Sequence, residues 1–205
     1  MAFQKVAALV PLLLLAGCAA GQREYLKAGF LPPARVAVLP LNNLTTDLDG
    51  PEIVRYWFGQ RLSDKKGYVI VPPAEVARVL KDDFGITDGG QLAAAAPAAL
   101  GKKLGADALI YGELLDFGYQ TAGFVNTRKV RARFRMVNAA DGLLLWEAEG
   151  VGANSAAALS SSQAFKAGLS ALGAQLAEKA AGNPLRYETW DMVWNAMEFL
   201  PPARK

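Results

Sequence analysis

The chain has 205 residues, with 22 basic against 19 acidic side chains and 52% apolar residues. That length carries one ordinary domain with a real core, and the near-balanced charge offers no electrostatic footprint for nucleic acid. There is no histidine and only one cysteine, which excludes Ser-His and Cys-His nucleophile pairs, the common zinc ligand sets and an internal disulfide. Neither a Walker-type phosphate loop nor a dinucleotide-binding glycine fingerprint occurs. Asp82-Asp83, and Glu113 with Asp116, are carboxylate pairs without a cofactor motif beside them, and they read as solvated or ion-paired groups. These features point away from an enzyme and call for no cofactor.

At the N-terminus, Lys5 precedes the apolar segment Val6–Leu15, and the small residues Ala16 and Gly17 precede the single thiol, Cys18. A charged start, an apolar middle and small residues before a cut site mark a secretory signal. The segment is shorter than the roughly 20 residues a spanning helix needs. Leu15-Ala16-Gly17-Cys18 resembles the lipobox of bacterial lipoproteins. The resemblance implies cleavage between Gly17 and Cys18, diacylglycerol on the Cys18 sulfur and an acyl group on the new amino terminus. Ala19, in place of aspartate, implies an outer-membrane destination facing the periplasm. The reading is therefore a signal peptide over 1–17, a lipidated tether over 18–34 and one domain over 35–205.

Arg35–Leu41 is nearly all apolar and reads as a strand buried on both faces. Asp49, Pro51 and Glu52 predict the start of a helix capped by Asp49 that buries Ile53, Val54, Trp57, Phe58 and Leu62 and stops at Gly67. A short strand, Tyr68–Val71, precedes a helix from Pro73 that ends at Gly85. Gln91–Leu104 reads as two helical pieces broken before Pro97. Ala108–Phe117 reads as the third strand. Strands alternating with helices predict parallel pairing.

The second half changes style. Val130–Met136 alternates apolar and cationic residues, as a half-buried antiparallel strand does. Ala140-Asp141-Gly142 predicts a hairpin loop with Gly142 left-handed, which sets Arg135 opposite Glu147, Arg133 opposite Glu149 and Met136 opposite Trp146. Ser155–Ala181 reads as a long helix with a seam of Phe165, Leu169, Leu172 and Leu176. Tyr187–Leu200 reads as a final helix with Tyr187, Trp190, Trp194 and Met197 in one stripe. The fold class is α/β: a single mixed sheet of about five strands, parallel in the first half and hairpin-built in the second, flanked by helices.

Val36-Ala37-Val38-Leu39-Pro40-Leu41, Leu104–Gly112 and Asn138–Trp146 occur in this order behind the lipobox. Together they resemble a family of bacterial lipoproteins of unknown function, similar in fold to the TolB amino-terminal domain, CsgG and PelC. The resemblance implies a periplasmic location and work through protein contacts, often in oligomers, without catalysis. It leads to an adaptor or structural subunit of an envelope transport, secretion or assembly complex. The alternative is a binding module for an envelope glycan or lipid.

Three surfaces are candidates for contact. Lys129 and Arg131 have no acidic residue opposite them on the hairpin, so they are open to an acidic partner, a headgroup or a polysaccharide; otherwise they belong to a solvated face. Gly118–Asn126 reads as a long connection carrying Tyr119 and Phe124 with Phe117 at its base, either a binding loop or a small satellite core. Trp190 and Trp194 either dock on the domain or meet a partner or a membrane. The expected partners are the membrane, through the lipid, and other envelope proteins, with a homo-oligomer as one arrangement.

Overall fold

A computed structural model describes residues 24–122, 125–157, 161–182 and 184–203. Gly17, Cys18 and Phe124 lie outside them, and the side chain of Phe165 is likewise not described.

Seven strands form one mixed sheet: β1 (Glu24–Leu26), β2 (Arg35–Val38), β3 (Asn42–Asn43), β4 (Val69–Ile70), β5 (Ala108–Ala122), β6 (Val125–Asn138) and β7 (Leu144–Ala157). Their spatial order is β1-β7-β6-β5-β2-β4, with β3 also pairing β5. β2 runs parallel to both β4 and β5, and β5, β6, β7 and β1 pair antiparallel. The five helices are α1 (Gly50–Asp64), α2 (Pro73–Phe84), α3 (Pro97–Leu104), α4 (Ser161–Ala180) and α5 (Arg186–Ala196), with a 3-10 helix at Gly89–Ala94.

The continuous apolar run in β2 serves two cores at once. Val36 and Val38 pack with Ala108, Ile110, Phe134, Met136 and Trp146 under α1 and α5. Ala37 and Leu39 pack with Leu109 under α2 and α3. Phe58 of α1 stacks on Phe134 of β6 with ring centroids 3.9 Å apart. Successive strand side chains point to opposite faces, so an unbroken apolar stretch is what a strand covered on both sides requires.

The β6–β7 register matches the sequence expectation: Arg135 lies opposite Glu147, Arg133 opposite Glu149 and Met136 opposite Trp146. Gly142 has φ 71°, a conformation that favours glycine.

Several expectations need correction. The cap of α1 is supplied not by Asp49 but by Asp47, whose Oδ1 accepts from the N–H groups of Asp49 and Gly50 at 3.0 and 2.8 Å. The tether is not free throughout: Glu24–Leu26 forms an edge strand on β7. Gly118–Asn126 is not a long connection, because β5 continues to Ala122 and β6 starts at Val125. The last long helix starts at Ser161, not Ser155, because β7 extends through Ala157. Together β5, β6 and β7 project as a three-stranded arm beyond the two-sided core.

Candidate interaction surface

The face of the arm opposite α5 carries Lys129, Arg131, Arg133 and Arg135. A register shift between Leu114 and Asp116 of β5 places Asp116 across from Arg131. Its carboxylate then accepts from Arg131 Nε at 2.7 Å and lies 3.1 Å from Lys129 Nζ. Arg131 also reaches Glu149 at 3.4 Å, and Arg133 reaches Glu113 at 3.3 Å and Glu149 at 3.2 Å. Lys129 and Arg131 are therefore paired, with acids from β5 and β7 rather than from an external partner. This corrects the reading that left them open. Glu147 stands opposite Arg135, yet its ion-pair contact is with Arg133 at 4.0 Å. The face is a charge ladder of the half-exposed kind, and each such pair contributes about 0–1 kcal/mol.

Phe117 is buried in the core under α1 and α5, and Tyr119 packs against the same core. The Tyr119 hydroxyl donates to Glu178 Oε2 of α4 at 2.8 Å. Arg128 joins the same cluster, bridging Glu178 at 2.8 Å and the buried Glu188 of α5 at 2.8 Å. Glu178 also accepts from the Leu185 N–H at 3.3 Å. Leu185 is fully buried and holds a left-handed backbone, φ 53°, a conformation that costs a leucine roughly 1–2 kcal/mol. Neither Phe117 nor Tyr119 is presented for binding: one fills the core, and the other ties the end of α4 to the arm.

Burial pushes Glu178 up, but the hydrogen bonds from Arg128, Tyr119 and the Leu185 N–H, with the Arg128 charge, hold it below the ordinary carboxylate range. Burial pushes the Tyr68 hydroxyl up to about 12. Burial, then the Glu178 carboxylate, pushes the Tyr119 hydroxyl up to about 12. A phenol raised in the fold keeps its stabilising contribution below the unfolded value, 10.0, and loses it as pH climbs through the folded one. The melting temperature is therefore expected to fall between pH 10 and about 12. Two tyrosines should ionise only near the top of that window in a spectrophotometric titration. A titration in which every tyrosine ionises near pH 10 would contradict the packing of both rings.

α5 docks through Thr189, Met192, Val193, Ala196 and Met197, all buried. Two glycines of β7 let its backbone lie against the sheet. A Cβ on Gly152 would stand 1.9 Å from the Glu188 carbonyl oxygen, and one on Gly150 2.1 Å from that of Met192. Asn195 Nδ2 donates to Val151 O at 2.7 Å alongside. The docked face is thus not the aromatic stripe, of which only Met197 is buried.

Trp190 and Trp194 remain 45% and 47% exposed. They stand beside α1, which runs in the same direction. The Arg61 guanidinium lies 3.5 Å from the Trp194 ring centroid and 5.6 Å from that of Trp190. One turn back, Arg186 lies over the Trp57 ring at 5.5 Å, and Tyr56 meets Trp57 edge-on at 5.4 Å. Cations and aromatic rings so alternate between the two helices, each cation held against a negative ring face. Arg61 Nε and Nη1 and Trp57 Nε1 have no hydrogen-bond acceptor among the described residues. Trp57 and Tyr56 also line a notch of about 680 Å³ with Ile53, Glu52, Lys179 and Pro184. Sequence reading named Trp190 and Trp194 as surface candidates, placed Trp57 among the buried residues of α1, and missed Arg61 and Arg186. The 57/61 and 186/190/194 spacings, each one helical turn, were the available signal.

A single mixed sheet flanked by helices is a fold shared with solved bacterial lipoproteins. The lipoprotein GNA1162 crystal structure from Neisseria meningitidis is similar to it with a TM-score of 0.56 at 25% identity, covering 71% of this chain and 99% of that one. The PelC dodecamer structure from Paraburkholderia phytofirmans gives 0.52 at 13% identity over 90% of this chain and 98% of that one, a likeness of fold alone. The chain belongs to the family described as "Putative lipoprotein GNA1162-like", which matches residues 25–186. The "Putative lipoprotein NMB1124/NMB1162" of Neisseria meningitidis serogroup B (strain ATCC BAA-335 / MC58) is 32% identical over 116 residues, 56% of this chain. The match spans about half of that relative, 52% of its length. Membership places the chain among envelope-associated lipoproteins. Cys18 and most of α5 lie beyond the matched residues.

Proposed function

We propose that this protein is a non-enzymatic adaptor or structural subunit of an envelope transport, secretion or assembly complex. It is anchored through acylated Cys18 at the outer membrane, facing the periplasm, and it binds partner proteins through the α1/α5 face. The observation that carries the reading is the rigid ladder of Trp57, Arg61, Arg186, Trp190 and Trp194. Tryptophan and arginine held in place at a surface are the residue types that dominate binding energy at protein interfaces. Arg61 is buried beneath the two indoles, whereas Arg186 is exposed and forms no ion pair among the described residues, so the face suits a partner with acidic or carbonyl-rich contact groups. PelC, of similar fold, is a dodecamer, which supports self-assembly as one form such contacts take.

The test is crosslinking in intact cells from a photoreactive residue at Tyr187, which is exposed on the same helix. The parent chain is expected to yield discrete protein adducts, and Trp190→Ala is expected to reduce them about tenfold or more, the usual scale for a tryptophan hot spot. Unchanged adducts in a folded Trp190→Ala protein would reject this face. The second reading, an envelope-glycan module, is favoured by the notch beside Tyr56 and Trp57, which joins aromatic faces to Glu52 and Lys179. Adducts to polysaccharide instead of protein would establish it.

A further inference from the structure

We propose that α4 is a membrane-facing element, its Leu169, Leu172 and Leu176 stripe lying in the interfacial layer of the bilayer that holds the protein. The proposal rests on the reading that the chain is lipidated at Cys18.

The end of α4 is tied to the body through Glu178, which bonds Arg128 and Tyr119. At 3.6 residues per turn, the three leucines stand about 120–180° around the helix from Glu178. The burial pattern agrees: Gly168, Gln175 and Glu178 are half-buried, whereas Leu169, Leu172 and Leu176 are 57%, 58% and 67% exposed. The expectation that these leucines form a buried seam on the sheet is therefore overturned. Gly168, Gln175 and Glu178 mark the side of α4 nearest the body, and the leucines lie on another side, exposed.

The chain's own geometry says what lies on that side. β1 runs antiparallel to β7 with Glu24 opposite Ala148, so the polypeptide enters β1 from the side of β7's carboxyl end. Residue 18 precedes Glu24 by six steps, a reach of at most about 20 Å. α4 follows β7 after residues 158–160, and its far end is fixed to Arg128 near the start of β6. The point where the chain enters β1 and α4 therefore face the same end of the sheet, within reach of residue 18. Lys179, exposed at the edge of the stripe, is placed to meet anionic headgroups. A second copy is a poorer occupant: three leucines on one helix fall far short of the roughly 20–30 residues a side that a stable interface uses.

The stripe orients the domain and does not anchor it. Three leucine side chains carry about as many carbons as one myristoyl chain, and such a chain alone binds membranes marginally and reversibly.

The test uses the full acylated chain, whose Cys18 sulfur is consumed by lipid, with one environment-sensitive fluorophore on Leu172→Cys. The control is Leu143→Cys, at the exposed loop on the opposite end of the β6–β7 hairpin. In vesicles of phosphatidylethanolamine and phosphatidylglycerol, position 172 is expected to brighten by about twofold or more with quenching by nitroxide-bearing lipid, and position 143 to stay unchanged. Equal, water-like signals at both positions would overturn the proposal. Shielding at 172 that grows with protein concentration without vesicles would assign the stripe to a second copy and overturn it too. If Cys18 is not acylated, the parent chain itself takes the label, which rejects the anchor reading separately. The same two positions are then read in a Cys18→Ser chain held to nickel-chelating lipid by an N-terminal histidine tag, where shielding at 172 supports the proposal and its absence refutes it.

Discussion

Cys18→Ser is expected to move the protein from the membrane fraction to the soluble fraction without lowering its melting temperature. Three acyl chains on Cys18, at about 0.8 kcal/mol per buried methylene, would make attachment effectively permanent. Among the described residues no helix is long and apolar enough to cross a membrane, and the α4 stripe would bind only marginally. The thiol lies six residues before β1 and outside the described residues, and every packing contact named above is made without it. Fractionation in high salt checks this, because salt strips charge-held proteins and leaves acylated ones in place. A mutant that still sediments with membranes in high salt would refute attachment through Cys18.

Gly152→Ala is expected to be the most damaging glycine-to-alanine change among the described residues. The added carbon would need to sit 1.9 Å from the Glu188 carbonyl oxygen and 2.8 Å from Met192 N, where no carbon fits. Either β7 shifts, which disturbs its pairing with β6, or α5 lifts off. Lifting α5 exposes Met192, Val193, Ala196 and Met197 and separates Glu188 from Arg128. Overpacking against backbone of this kind costs about 3 kcal/mol or more. For a chain of this length that corresponds to a melting temperature lower by about 6–12 °C. Gly168→Ala is the control, since nothing stands within 4 Å of its added carbon; a Gly152→Ala protein that melts with this control would show that α5 does not lie flush on β7.

Much of this architecture was legible because burial leaves a period. The doubly covered β2 is unbroken apolar sequence, the half-covered β6 alternates, and Gly142 marks the turn that sets their register. The outer arm was not legible. Gly118–Ala122 and Gly152–Ala157 pair along their whole length, but they extend past the two-sided core, and Gly, Ala, Ser and Asn there carry no alternation. The acid partner of Lys129 and Arg131 was missed for a different reason. It comes from β5 through a bulge at Leu115, where a one-residue irregularity shifts the inward positions from Leu114 to Phe117 and so changes which side chains meet across the strands. The α5 stripe misled because aromatic residues are the strongest apolar signal on the helix. Its docking is decided instead by Gly150 and Gly152 on another strand, which bring the backbone so close that the smaller Met192, Val193 and Ala196 face inward.

By itself the sequence determined a short apolar segment ending in a single thiol, none of the histidine-dependent chemistries, a parallel α/β half and an antiparallel hairpin of known register. These follow from composition and local periodicity, which need no knowledge of what lies across the sheet. Tertiary structure alone decided that the tether contributes an edge strand, that Lys129 and Arg131 are neutralised while Arg61 and Arg186 are not, and that α4 turns its leucines outward. Each of those outcomes depends on which distant residues come within a few ångströms, and the free energy of a charge or an apolar side chain is set by those neighbours rather than by its own identity.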